Sequence, residues 1–272
     1  MNMKKYLRKL IPYNLIHLIR KTKGAIEAFI YRGNNFECPF CKNKFRKLKD
    51  GGESLPFFKD HKIIGGGRRI NMLCPYCLST DRDRLIYFYL ITRKEFLKKQ
   101  LTLLHVSPES SVKSFLAKFP NINYYSGDKF EERYQGFYYD KTTLNLDLTN
   151  LQFPNDNFDI IICNHVLEHI KEEKKALFEI KRVLKYNGWA ILQVPIANKN
   201  KNTIEYQNLS SKKRESIYGQ DDHMRLYGLD YADRLRSNGF IVDTWRASDL
   251  LNVNEISKFA LNSEEKVYII KK

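Results

Sequence analysis

The sequence predicts an α/β protein: a doubly wound parallel sheet preceded by a small module built on four cysteines. Three observations lead there. Phe158 to Cys163 (FDIIIC) is an unbroken apolar run, β-branched at its centre, the pattern of a strand buried on both faces. After it, Ala176, Leu177, Ile180, Val183 and Leu184 share one helical face and Trp189 to Val194 is a second apolar strand, so strand, helix and strand form one crossover unit. Far upstream, Cys38-Pro39-Phe40-Cys41 and Cys74-Pro75-Tyr76-Cys77 repeat one C-P-x-C pattern.

Length and composition agree with that class. A chain of 272 residues with 43% hydrophobic and 13% aromatic content buries a core and is not disordered. No run approaches the ~20 apolar residues of a membrane span, and the N-terminus lacks a secretory h-region. The expectation is a cytoplasmic protein without a transmembrane segment. The net charge of +16 is uneven. Residues 1–100 carry 23 Lys and Arg against 8 Asp and Glu, whereas residues 101–272 are nearly neutral.

In chain order, residues 1–35 read as a basic amphipathic arm, with Pro12 ending any helix before Asn14 and a helix running from about Asn14 to Tyr31. Such an arm suits peripheral contact with an anionic membrane surface, or docking on the protein with its charges in water; its imperfect apolar stripe favours the second. Residues 36–100 hold the cysteine module and a linking helix. Each C-x-x-C turns two sulfurs toward one point, and two such knuckles complete a tetrahedral site, so Cys38, Cys41, Cys74 and Cys77 are expected to bind a structural Zn²⁺. Gly51-Gly52 and Gly65-Gly66-Gly67, between the knuckles, read as turns. Ser79 to Gln100 reads as the linking helix; its arginines Arg82 and Arg84 could face a ligand, but the commoner surface placement is expected.

Residues 101–272 supply the sheet. Leu101 to Ser107 is its first strand and Ser110 to Phe119 its first helix, capped by Ser110 or Ser111. Asn123 to Ser126 and Thr143 to Leu146 are the second and third strands, ending near Asp128 and Asp147. Asn187-Gly188 is expected to end the helix after the fourth strand, with glycine in left-handed space. The polar stretch Asn198 to Tyr227 interrupts the strand order; a helix from Gly228 to Asn238, a strand at Phe240 to Val242 and a last strand at Lys266 to Ile270 follow.

One ordered set of motifs carries a resemblance. Asp147-Leu148, Leu151, Phe153-Pro154, Phe158-Asp159, Leu167-Glu168-His169-Ile170, Glu179-Ile180, Arg182-Val183-Leu184-Lys185 and Gly188 together resemble the class I S-adenosylmethionine-dependent methyltransferases, most closely their small-molecule branch. The likeness covers roughly residues 101–272. It implies a Rossmann-like seven-stranded methyltransferase sheet whose last strand is antiparallel, with S-adenosylmethionine as cofactor. In that family the first turn carries an acidic residue and a G-x-G. Here it reads His105-Val106-Ser107-Pro108-Glu109, without glycine, and is similar to an H-x-x-P-E form found in a subgroup that begins with zinc knuckles.

The resemblance implies roles residue by residue. His105, Ser107, Pro108 and Glu109 face the cofactor's amino-acid end, Glu109 toward its ammonium. Asp128 takes the ribose diol, Asp147 and Leu148 the adenine, and Asn164 and His165 the methionine part. The insertion overhangs the strand ends, where Asp222, Arg225 and Tyr227 are candidates to bind acceptor, His223 is the preferred base and His169 the alternative. The expected activity is methyl transfer to an oxygen or nitrogen of a small-molecule acceptor, for instance a sugar or nucleotide-sugar. Two other readings stay open: an RNA methyltransferase using the basic module to hold RNA, and a non-catalytic adaptor with a degenerate cofactor site.

Overall fold

The computed structural model describes residues 13–93, 98–130 and 142–272. The basic residues before Tyr13 and residues 94–97 fall outside them; the linking helix, expected to reach Gln100, ends at Thr92. The elements are α1 (Tyr13–Ile30), β1 (Arg32–Glu37), β2 (Lys44–Phe45), β3 (Lys49–Gly51), α2 (Pro56–Asp60), β4 (Ile63–Ile64), β5 (Arg69–Leu73) and α3 (Asp81–Thr92) in the N-terminal third. There follow β6 (Leu101–Val106), α4 (Ser110–Leu116), β7 (Ile122–Asp128), β8 (Thr143–Asn145), β9 (Phe158–Asn164), α5 (Glu173–Val183), β10 (Leu184–Gln193), β11 (Ile196–Ala197), α6 (Ser211–Tyr218), α7 (Tyr231–Ser237), β12 (Ile241–Arg246), α8 (Val253–Lys258) and β13 (Lys266–Lys271).

Seven strands form one sheet in the order β12-β13-β10-β9-β6-β7-β8. β13 runs antiparallel to both neighbours and the other pairs are parallel. This is the Rossmann-like sheet with one reversed strand that the resemblance implied. The strand order reverses between β6 and β9, and open α/β sheets bind ligands in the crevice at the carboxyl ends there. Ile160, Ile161 and Ile162 are fully buried because both faces are covered, each worth about 1.5–3 kcal/mol of burial. One face packs on α5 and α7, with Leu177, Ile180 and Leu235. The other packs on α3, α4 and α8, with Leu85, Ile86, Tyr89 and Leu116.

Two expectations are corrected here. The helix after β9 ends at Val183, and β10 begins at Leu184. Gly188 lies inside β10 and not in left-handed space; a Cβ there would stand 2.8 Å from the Asp159 carbonyl, so it is needed for close strand approach. Neither Ser110 nor Ser111 caps α4. Glu109 holds the N-cap position without a side-chain cap bond, and Ser111 donates to Asp83 on α3 at 2.7 Å.

The cysteine module is joined tightly to the sheet domain. Phe40 stacks edge-on against Tyr87 of α3 and Phe115 of α4. Arg84, expected on the surface, is fully buried. Its guanidinium donates to the carbonyls of Asn71, Met72 and Ser79 in the module and of Phe259 and Ala260 in the domain. A buried cation hydrogen-bonded on every side is a clamp. α1 docks on the module through Gly24, pressed against the Tyr76 carbonyl, and leaves Ile26, Phe29 and Ile30 exposed.

Candidate functional site

The first turn after β6 adopts the shape a glycine-rich turn would give, without glycine. Ser107 takes a left-handed φ of 50°, a conformation uncommon for a residue with a Cβ. Its amide donates to the Gly127 carbonyl at 2.8 Å and its hydroxyl to Asp128 at 3.2 Å. His105 is buried at the end of β6, between the Tyr124 hydroxyl at 2.9 Å and the Glu109 carboxylate at 2.8 Å. Across the switch point, Asn164 at the end of β9 donates to the other Glu109 oxygen at 3.1 Å. Burial alone would raise the Glu109 carboxyl, but the hydrogen bond from His105 holds it below the usual range. The Asn164 side-chain oxygen is buried and has no partner, an acceptor next to a carboxylate. An ammonium group fits that pair.

The carboxylates at the next two strand ends are built differently. Asp128 sits half-buried at the end of β7. Asp147, after β8, accepts from Lys129 at 2.8 Å and from the Thr149 amide and hydroxyl at 2.8 and 2.7 Å. The Lys129 contact holds its carboxyl down at about 2. Leu148 is buried, so what it offers a ligand is backbone. Glu109, Asp128 and Asp147 thus follow one another along the ends of β6, β7 and β8, a row that suits an ammonium, a diol and a base in sequence.

Beyond β9 the chain turns through His165, again left-handed at φ 54°, into a 3₁₀ turn over Leu167–His169. This reversal leaves His165 Nδ1 at 3.3 Å from Glu168 Oε1. Burial lowers His165 to about 4, so its ring is neutral at physiological pH. Burial pushes the Glu168 carboxyl up, but the hydrogen bond from His165 together with His169 and His223 beside it holds the group at about 2. Glu168 Oε2 and His165 Nε2 are buried without partners.

A pocket of about 290 Å³ opens next to these groups. His165, Glu168 and His169 line one side, His223, Leu226 and Tyr227 a second, and Phe58, Gly65, Gly66, Arg69 and Arg82 a third. Apart from Arg82 on α3, that third side comes from the segment between the two knuckles. Gly65 and Gly67 take left-handed φ values of 79° and 67°, and a Cβ on Gly65 would stand 3.3 Å from the His165 ring. These glycines are turns, as expected, and they also bring the cysteine module over the end of the sheet. β4 pairs with β11 just after β10, which fixes that placement.

Of the insertion residues, His223 is brought to the pocket and two others are not available to a ligand. His223 is 5% exposed, its ring meets that of His169 at 4.7 Å between centroids, and burial holds it below its ordinary pKa. Asp222 lies 3.4 Å from His169 Nδ1. Arg225, expected to bind acceptor, has all five N–H donors engaged, by the carbonyls of Leu167, Ile170 and Lys171 and by Glu205. Tyr227, expected likewise, donates its hydroxyl to Glu173 at 2.5 Å. Both form wall, because a buried donor already paired has nothing left to offer. Sequence reasoning missed Glu168 and the Gly65-to-Arg69 segment as site components. The H-V-L-E-H spacing was a signal for the first; for the second only the glycine run was.

The four module cysteines converge. Their sulfurs lie within 4.8 Å of one another, with Cys38 to Cys77 at 3.5 Å and Cys41 to Cys74 at 3.7 Å. These are the edges expected of a tetrahedron with metal–sulfur bonds of about 2.3 Å, and far longer than the ~2.05 Å of a disulfide. Hydrogen bonding from Cys41, Cys74 and Cys77 drives Cys38 toward the thiolate. Ser79 sits 3.3 Å from both Cys38 and Cys77. Cys163 is buried in the core.

Comparison with known proteins finds the following similarities. Residues 121–192 match the family described as "Methyltransferase domain". Over 75 residues the chain is 35% identical to the uncharacterized methyltransferase YcgJ of Bacillus subtilis, a stretch that is 28% of this chain and 30% of that protein. Among solved structures, YcgJ of Bacillus subtilis is similar at 15% identity over 68% of this chain and 99% of that one, with a TM-score of 0.41. A SAM-dependent methyltransferase of Archaeoglobus fulgidus is similar at 14% identity over 71% of this chain and 95% of that one, with a TM-score of 0.44. Among the described residues no helix is long and apolar enough to cross a membrane.

Proposed function

We propose that the protein is an S-adenosylmethionine-dependent methyltransferase acting on an oxygen or nitrogen of a small-molecule acceptor. The observation that carries this is the juxtaposition at the switch point: a carboxylate row along β6, β7 and β8 lies beside a pocket lined by the buried imidazoles of His165 and His223. The domain match over residues 121–192 supports it. When bound, S-adenosylmethionine supplies a sulfonium methyl that a lone pair displaces in line, the C–S electron pair staying on sulfur. Glu109 and Asn164 would hold the ammonium, with His105, Ser107 and Pro108 shaping the turn. Asp128 would take the ribose diol, Asp147 and the Leu148 backbone the base, and the His165 backbone would lie along the methionine chain.

This chain's work on the acceptor falls to the pocket. His223 and His169 line it; His223, neutral because buried, receives the acceptor's proton or fixes its position. The roof supplied by Gly65 to Arg69 excludes water, which strengthens each polar contact inside. A volume of about 290 Å³ supports a small acceptor over a nucleic-acid segment. The four cysteines are proposed to hold Zn²⁺ as a closed structural site that fixes this roof. The test is methyl transfer from labelled S-adenosylmethionine to a panel of sugars, nucleotide-sugars, amines and RNA. Transfer to a small molecule, slowed about 10²–10⁴-fold in His223→Ala at unchanged cofactor affinity, is expected. Transfer to RNA alone, or full activity of the variant, contradicts the reading.

A further inference from the structure

Glu168, His169 and His223 each present a ligand atom, all within 4.8 Å of one another, and all three line the pocket. Nothing in methyl transfer itself calls for a carboxylate beside two imidazoles. Glu168 is 2% exposed and its Oε2 is buried without a partner, an arrangement that costs a few kcal/mol unless something ligates it. We propose that Glu168, His169 and His223 form a second metal site, distinct from the four cysteines, which takes one divalent cation and keeps open positions toward the pocket.

The chemistry of the donor set fits. Two imidazoles and one carboxylate are the ligands of open catalytic sites for Zn²⁺, Fe²⁺ and Mn²⁺, whereas a closed structural site uses four ligands. A side-chain adjustment of about 1 Å brings donors this close to bonds of about 2.1 Å. The surroundings orient the ligands as metal sites require. His165 braces Glu168 Oε1 at 3.3 Å and leaves Oε2 to the pocket, and Asp222 stands 3.4 Å from His169 Nδ1. The left-handed backbone at His165 and the 3₁₀ turn after it are what hold Glu168 and His169 side by side. His223 arrives from the insertion, so the cation would also pin that segment over the strand ends.

The site deepens the methyltransferase reading, and its chemical role rests on it. The acceptor becomes a hydroxyl-bearing molecule whose oxygen completes the coordination. Cation binding acidifies that O–H, the proton passes to water, and the oxygen lone pair forms the new O–C bond as the C–S bond breaks toward sulfur. With the cation bound, His223 and His169 fix the acceptor through it, and water in place of His223 takes the proton.

The test uses full-length protein whose cysteine site is first filled with Zn²⁺, titrated with Mn²⁺ and followed by calorimetry and electron paramagnetic resonance. Mn²⁺ favours nitrogen and oxygen donors over thiolates and so reports this site. One Mn²⁺ per chain is expected, bound at least about tenfold more weakly by Glu168→Gln and by His169→Ala. His169 is 36% exposed, so its truncation opens no core and keeps the test valid if Glu168→Gln misfolds. No Mn²⁺ binding, or equal binding by wild type and His169→Ala, overturns the site. Titration of the same samples with S-adenosylhomocysteine separates the two claims. Cation binding without nucleoside binding overturns the methyltransferase reading and leaves the site standing; the reverse overturns the site.

Discussion

The two halves of the candidate site differ in how their carboxylates are satisfied. On the cofactor side, Glu109 accepts from His105 and Asn164, and Asp147 accepts from Lys129 and Thr149. On the acceptor side, Glu168 Oε2 and His165 Nε2 are buried and unpaired. A carboxylate held in place by neighbours is pre-organised for a ligand of fixed shape. A buried group left unpaired stores free energy that only a ligand releases. The difference also runs along the chain, because the cofactor half comes from the sheet domain alone. The acceptor half needs the 3₁₀ turn, the insertion and the segment between the knuckles.

The largest effect should come from severing the halves. Cys74→Ser is expected to lose the structural metal, worth about 10 kcal/mol or more in small zinc modules, and with it the pocket roof. Turnover should fall by about 10³-fold or more while S-adenosylhomocysteine affinity changes less than about tenfold. Metal analysis beside calorimetry checks this, and unchanged metal content would refute the cysteine site. Next in size is Asp128→Ala, which acts on the cofactor half alone. Loss of a bidentate contact to two hydroxyls should weaken cofactor binding by about 10–100-fold and leave the melting temperature within a few degrees. An unaltered affinity would remove the ribose assignment.

The smallest effect concerns a charge beneath the acceptor half. Glu265 is 2% exposed, and burial raises its carboxyl to about 7. An acid whose folded pKa lies above its unfolded value of about 4.3 stabilises the fold at low pH, and that contribution is lost as pH rises from about 4.5 through 7. Glu265→Gln should therefore match wild type near pH 5 and exceed it by about 1–3 kcal/mol near pH 8. Denaturant melts at the two pH values measure it, and a variant less stable at pH 8 would show that Glu265 is held ionised by Arg69 and Arg82.

Much of the fold was legible in the sequence. FDIIIC gave a strand buried on both faces, found as Phe158–Asn164, because such a run suits no other environment. The glycine before Trp189 misled, since close approach of neighbouring strands and a helix cap ask for the same residue. The site was legible where one turn carries it, as at His105 to Glu109. It was illegible where residues distant in sequence meet. Nothing local in Gly65 to Arg69 announces that it covers His165 a hundred residues on. Arg225 and Tyr227 looked like ligand-binding residues because polar groups in an insertion invite that reading, and only their buried partners show them to be wall.

The central claim is that a turn without glycine binds the cofactor. The most direct test is calorimetric titration of the zinc-loaded protein with S-adenosylhomocysteine, with S-adenosylmethionine alongside. Micromolar binding at one site per chain, weakened by Asp128→Ala, is the predicted result. No binding by folded, metal-loaded protein would contradict the account and leave the sheet a scaffold for some other task.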